Sequence, residues 1–201
     1  MKPILFKEDM VRAIQAGIKT QTRRIIKPLP LKLNREGGAL ELDAEAMTDG
    51  RIMKLNRYGK VGDKLWVRET WAPRTMGLTQ LDPVLKPRYR ADNDSLDARV
   101  AAQCGGWKPS IHMPRWASRI TLEITSVRVE HLQDISDEDC IAEGIEPRAD
   151  GWAWYTGHQA QTRYTKFPRT SYESLWESIN GADSWDSNPW VWVLEFKLVK
   201  S

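Results

Sequence analysis

Apolar positions enter this chain in short bursts of two different periods. Ile4, Leu5 and Phe6 form a continuous run that predicts a short buried strand. Met10, Val11, Ile14 and Ile18 then recur at helical spacing, with Glu8 and Asp9 where a helix N-terminus favours negative charge and Gly17 placed to end the helix in the left-handed region. Residues 28–60 lose periodicity under repeated Pro and Gly and predict a long excursion. Gly62-Asp63 predicts a turn, after which Leu65 and Val67 point inward and Trp66 and Arg68 take the opposite face. Residues 73–109 are again turn-rich, apart from a short helix expected within 95–103.

The second half is more regular. Ile120, Leu122 and Ile124 alternate with polar residues at the period of a half-buried strand, and Val127 and Val129 resume the pattern after a shift that predicts a bend at Ser126. Ser136 has the position of a helix cap, Asp139 stands three residues on, Ile135 can staple onto Cys140, and Gly144 ends the helix. Residues 146–169 form a third insertion, with Trp152, Trp154, Tyr155 and His158 in it. A last helix is expected to open at Thr170 and stop at Asn180-Gly181, with Leu175, Trp176 and Ile179 on one side. In the closing strand Trp192, Leu194, Phe196 and Leu198 face one way and Val191, Val193, Glu195 and Lys197 the other.

Short strands separated by turns, with three helices, predict an α+β chain: a partly closed β-barrel with peripheral helices and rim insertions near 28–60, 73–110 and 146–169. The chain of 201 residues suffices for one substantial core, and residues 1–201 are read as one domain.

Charge sharpens this picture. The net value is only +3, but residues 1–35 hold nine Lys/Arg and two acids, which leaves the other 166 residues at −4. From Met10 to Arg35 there are seven cations and no acid. Such a local patch suits a phosphate backbone. The 134–146 run is its opposite, with six carboxylates and no cation, and predicts a wall that excludes long duplex nucleic acid. Cys104, Cys140 and three scattered histidines give neither metal-ligand spacing nor a disulfide framework. No metal and no cofactor is expected, and the chain is read as a protein of a reducing cytoplasm. Cys140, on the apolar side of its helix, is read as a small buried hydrophobe. No apolar run approaches the ~20 residues of a membrane span, and Glu8 and Asp9 interrupt any secretory leader.

Candidate chemistry concentrates at residues 17–24, Gly-Ile-Lys-Thr-Gln-Thr-Arg-Arg. Lying past a helix end, where backbone is irregular, Lys19, Thr20, Thr22, Arg23 and Arg24 are placed to converge on an anionic ligand; the plainer alternative is a solvated basic loop. Arg68, Arg115, Arg119 and Arg128 add to the positive surface if the strand ends share a rim, although some must pair with the acids of 134–146. Among ten tryptophans, Trp66, Trp176 and Trp192 read as core, whereas Trp71, Trp107, Trp116, Trp152 and Trp154 are candidates to stack on bases.

The stretch from Ile4 to Arg24, ending in Gly17-x-Lys19-Thr20-x-Thr22-x-Arg24, resembles the signature of ASCH domains, members of the PUA-like group of small β-barrels. Gly62 to Trp71, Met113 to Arg119, Ile135 to Ile145 and the closing Trp190–Val199 strand are similar to further segments of that family, and together they cover roughly half of the 201 residues. The wording is closest in kind to a longer branch frequent in bacteriophages and prophages. The resemblance implies a barrel fold and a partner that is RNA, single-stranded nucleic acid or a nucleoside. It also implies chemistry. Small ASCH members that hydrolyse the acetyl-amide of N4-acetylcytidine use a Lys and a Thr three residues apart after the first helix, matched here by Lys19 and Thr22, with a Glu from the later helix. Counting from Ser136 places Glu143 at that position. A hydroxyl nucleophile needs a base, and a lysine serves as one when burial or a nearby cation lowers its pKa. The alternatives are a plain Lys19–Glu143 ion pair with Thr22 capping a turn, a ribonuclease, binding without catalysis, and an adaptor that engages a host protein through the Trp-rich insertions.

Overall fold

The last strand, Trp190–Leu198, divides the interior in two. Its alternation is as the sequence predicts, and its first half is apolar on both faces. Trp192, Leu194 and Phe196 enter a core shared with Ile4, Phe6, Leu65 and Ile124; Val191 and Val193 enter a second core with Leu132, Cys140, Tyr172 and Trp176. Leu198 departs from the pattern and is exposed, because it lies at the strand's end beyond the first core. The computed structural model describes residues 1–26, 52–73, 75–76, 80–81, 87–92, 106–157 and 162–199. Most of the 28–60 excursion and the helix expected within 95–103 lie outside the described residues.

The main sheet runs in the order β1 (Lys2–Leu5), β3 (Lys64–Arg68), β8 (Thr121–His131), β12 (Trp190–Leu198), β2 (Gln21–Ile25). Only β1 and β3 are parallel; the other neighbours are antiparallel. Two short pairs follow β3: β4 (Trp71–Ala72) with β7 (Arg88–Tyr89), and β5 (Thr75–Met76) with β6 (Gln80–Leu81). A small meander, β9 (Pro147–Arg148), β10 (Gly151–Ala153) and β11 (Tyr164–Thr165), occupies the third insertion. With three α-helices around these sheets among the described residues, the class is α+β. Among the described residues β1 and β2 are the two edges of the main sheet, and no ladder joins them.

Local sequence explains the elements that matter for the site. Helix α1 (Glu8–Gln15) buries Val11 and Ile14, and the chain leaves it through Gly17 at φ 74°, where Ile18 N–H and Lys19 N–H both donate to Ala13 O. Ile18 therefore falls outside the helix and is exposed. The bend expected at Ser126 is a bulge: Glu195 faces Ser126 but Phe196 faces Ile124, leaving Thr125 as the extra residue. Helix α2 (Asp137–Ala142) is capped by Ser136, whose hydroxyl accepts from Asp139 N–H at 3.1 Å. Helix α3 (Pro168–Asn180) starts two residues earlier than Thr170, since Pro168 fits the first helical turn. Cys140 is fully buried, and burial pushes its thiol pKa up to about 12.

Candidate functional site

The 17–24 segment is a strand for more of its length than its composition suggests. Gln21–Ile25 pairs with β12, so its side chains alternate: Thr22 faces Leu194 and Arg24 faces Trp192 on the side of the first core, whereas Gln21 faces Glu195 and Arg23 faces Val193 on the other. Only Ala16–Thr20 remain as the loop between α1 and β2. That loop is tied to the end of α2 by Thr20 N–H donating to Ala142 O at 2.9 Å. Glu143, the residue after α2, is thereby brought to Lys19 across 124 positions of sequence.

Lys19 is 2% exposed, and its Nζ donates to Gln21 O at 2.8 Å, Glu143 O at 2.7 Å and Glu143 Oε2 at 2.7 Å. Three acceptors match the three protons of an ammonium. Burial lowers the Lys19 pKa, and Glu143 only partly offsets this. The other Glu143 oxygen, Oε1, accepts from the Tyr172 hydroxyl at 3.4 Å and from Arg23 Nη1 at 3.5 Å. Burial drives the Tyr172 phenol well above its ordinary pKa, so at neutral pH it is a donor.

Arg23 does not face outward. Its guanidinium is wholly buried and bonded to Glu130, to Asp139 at 2.7 Å and to the Gln21 side chain. Arg128 continues the same network through Glu130, Asp139 and Glu195. Burial works against the charge on Arg23, and the surrounding carboxylates more than restore it. Thus two cations expected on a phosphate-binding surface instead neutralise acids: Asp139 of the 134–146 run, Glu130 just before it and Glu195 of β12.

Thr22 and Glu143 share the wall of a cavity of about 480 Å³. Its lining comes from the end of β1, the start of α1, β2, the Arg57-Tyr58 turn and α3, with Thr70 and Ser110, which places it beside β2, an edge strand among the described residues. Phe6, Tyr58, Tyr172 and Trp176 supply aromatic surface; Lys7, Arg23, Arg24 and Arg57 supply cations. Thr22 is 4% exposed, and its hydroxyl makes no hydrogen bond among the described residues. Lys19 sits behind Glu143 and is not part of the wall. Of the trio Lys19, Thr22 and Glu143, the structure therefore joins Lys19 to Glu143 by an ion pair and Glu143 to Thr22 by a common cavity.

The remaining candidates gather elsewhere. Thr20 is exposed and contributes backbone bonds. Trp71 is 4% exposed in a small core with Tyr89, Met113 and Ala117, so it is a packing residue and not a free stacking platform. Trp116, by contrast, is 64% exposed, edge-on to Trp71 at 5.7 Å. Arg115 and Arg68 lie over Trp66, and Arg68 also donates to Met113 O at 3.1 Å. Arg119 is committed to Glu69 through two 3.0 Å bonds and to Asp92 at 2.7 Å, with its guanidinium over Tyr89. None of these lines the cavity except through its neighbours. Tyr172, Tyr58, Arg57 and Phe6 were not legible as site residues, because their role depends on elements that meet only in the fold.

No helix of the described residues is long and apolar enough to cross a membrane, and no group of three His, Cys, Asp or Glu among them could hold a metal ion. Comparison with family models, curated proteins and solved structures finds no match.

Proposed function

We propose that this chain is an ASCH-type protein of the PUA-like group whose cavity receives a single nucleoside, free or at the exposed end of an RNA strand. The cavity carries this reading. Its volume of about 480 Å³ lies within the ~300–1,000 Å³ of small-molecule sites. Its wall combines aromatic rings with an unpartnered threonine hydroxyl, a carboxylate and a phenol, the mixture needed to hold a flat base by its faces and read it by its edge. The hydrogen bond from Arg24 Nη2 to Leu5 O, 2.6 Å, links the two edge strands and supports a barrel whose seam is bridged by a side chain in place of a ladder.

A hydrolytic role is favoured by one further observation, the buried Lys19–Glu143 pair next to the Thr22 wall. In this role Thr22 Oγ1 attacks the acyl carbon of an N4-acylated cytidine, and its proton passes to the Lys19–Glu143 pair. The cytosine amine leaves with a proton from that pair, and water then cleaves the acyl–threonine ester to release the acid. The lowered Lys19 pKa suits a group that must accept and return a proton.

The test is turnover of N4-acetylcytidine alongside binding. Cytidine and acetate should form with the wild type and not with Thr22→Ala, while Thr22→Ala still binds the nucleoside. Binding without any turnover overturns the hydrolytic role and leaves recognition; absence of nucleoside binding overturns both.

A further inference from the structure

The cavity holds more positive charge than its own acids can answer. Glu143 is already engaged by Lys19, Arg23 and Tyr172, and Glu8, also in the wall, stands 3.7 Å from Arg90. Arg24 and Arg57 have no carboxylate partner among the described residues. Arg24 donates from Nη2 to Leu5 O and lies over the Phe6 ring, but its Nε is buried without a partner. Arg57 donates to the Tyr58 hydroxyl at 3.0 Å and covers the Tyr58 ring. A guanidinium cannot shed its proton to relieve this, so its orphaned N–H groups are satisfied by water or by an anion. Burial, and the nearby Arg57 charge, both press against the charged form of Arg24. Neither residue is needed to balance the Lys19–Glu143 network, which is closed without them.

We propose that Arg24 and Arg57 form an anion subsite in the cavity wall, so that the ligand is a nucleoside monophosphate whose phosphate rests on the two guanidiniums and whose base lies toward Glu143 and Tyr172. This rests on the nucleoside reading above and names the substrate class of the same cavity. Arg57 comes from the end of the first excursion, held by a tight turn in which Tyr58 N–H donates to Asn56 Oδ1 at 2.9 Å and Asn56 Nδ2 donates to Gly59 O at 2.6 Å. That excursion thus supplies one half of the subsite and β2 the other. Planar N–H pairs of this kind match phosphate oxygens, and the bonds are charge-assisted.

The experiment is calorimetric titration of the full chain with each of the four ribonucleosides, the matching 5′-monophosphates, and inorganic phosphate as competitor. For the base that binds, the monophosphate should bind at least ~tenfold tighter than the nucleoside, the worth of one or two charge-assisted bonds. That ratio should fall close to one in Arg57→Gln, an exposed position whose change leaves the core intact. Arg24→Lys, which keeps a charge but loses the fork, should lower it in the same direction. Equal affinity for nucleoside and monophosphate, or a ratio that survives Arg57→Gln, overturns the subsite while the nucleoside reading stands. Phosphate binding that depends on Arg57, with no nucleoside binding, supports the subsite and removes the nucleoside reading. Binding of none of these ligands overturns both.

Discussion

Gly144 is packed against Lys19 so closely that a β-carbon on it would stand 2.9 Å from Lys19 Cβ. The glycine also has φ 87°, a conformation that side chains rarely adopt. One residue therefore does two things: it turns the chain out of α2 after Glu143, and it leaves room for the lysine that Glu143 binds. Gly144→Ala should destabilise the protein by about 1–3 kcal/mol, from left-handed strain and the displaced Lys19 together. Chemical denaturation measures this directly. An unchanged midpoint would mean that the loop from Ile18 to Thr20 yields freely.

The Lys19–Glu143 pair is buried and fully bonded, so breaking one side leaves a charge without a partner. Lys19→Met and Glu143→Leu should each cost about 3–5 kcal/mol, and the double variant should cost less than the two singles added. Denaturation of the three variants gives the coupling. Additive losses would show that the pair is not an energetic unit.

The acid limb of stability should trace to Asp139. Burial raises its pKa, but hydrogen bonds from Gln21 and Arg23 outweigh this and leave it lowered. A carboxylate whose folded pKa lies below its unfolded value of about 3.9 contributes stability above that pH and loses it as pH falls through the folded value. Lys19 acts in the same direction at the other end of the scale, through a different cause: burial lowers its folded pKa, the unfolded chain binds more protons between that value and about 10.4, and stability gains with pH across that window as the cost of the buried charge is relieved. Melting temperatures from pH 6 down to pH 3 should fall, less steeply for Asp139→Asn than for wild type. Parallel curves would remove Asp139 from the account.

The two tryptophans at the rim should behave differently. Trp116→Ala, at an exposed position, should change stability by no more than about 0.5 kcal/mol, whereas Trp71→Ala should cost about 3–5 kcal/mol as a buried aromatic truncated to a cavity. If RNA reaches this rim, fluorescence quenching on titration should be lost in Trp116→Ala. Similar stability losses in the two variants would contradict their different burial.

Much of this was readable from spacing. The two faces of Trp190–Leu198 were legible because a strict period of two carries apolar residues on both sides, and the bulge near Ser126 was legible because the apolar phase slips there. The Ser136 cap and the Gly17 turn follow from residue chemistry alone. Arg23 and Arg24 were not separable in the sequence. They are neighbours in an edge strand whose residues are mostly polar, so no alternation of apolar positions announces it, and the carboxylates that claim Arg23 are more than a hundred positions away. Trp71 and Trp116 likewise look alike beside basic residues, and only the packing of Met113 and Tyr89 against Trp71 decides between them.

The central claim, that the cavity beside β2 receives a nucleoside, is tested most directly by blocking its mouth. Ile179 lines the cavity from α3 and is 39% exposed, so Ile179→Trp adds bulk there without entering the core. Calorimetric titration of wild type and Ile179→Trp with the same ribonucleosides, at matched folded stability, should show one-site binding in the wild type and its loss in the variant. Binding of equal strength in both proteins, or none in the wild type, would contradict the account.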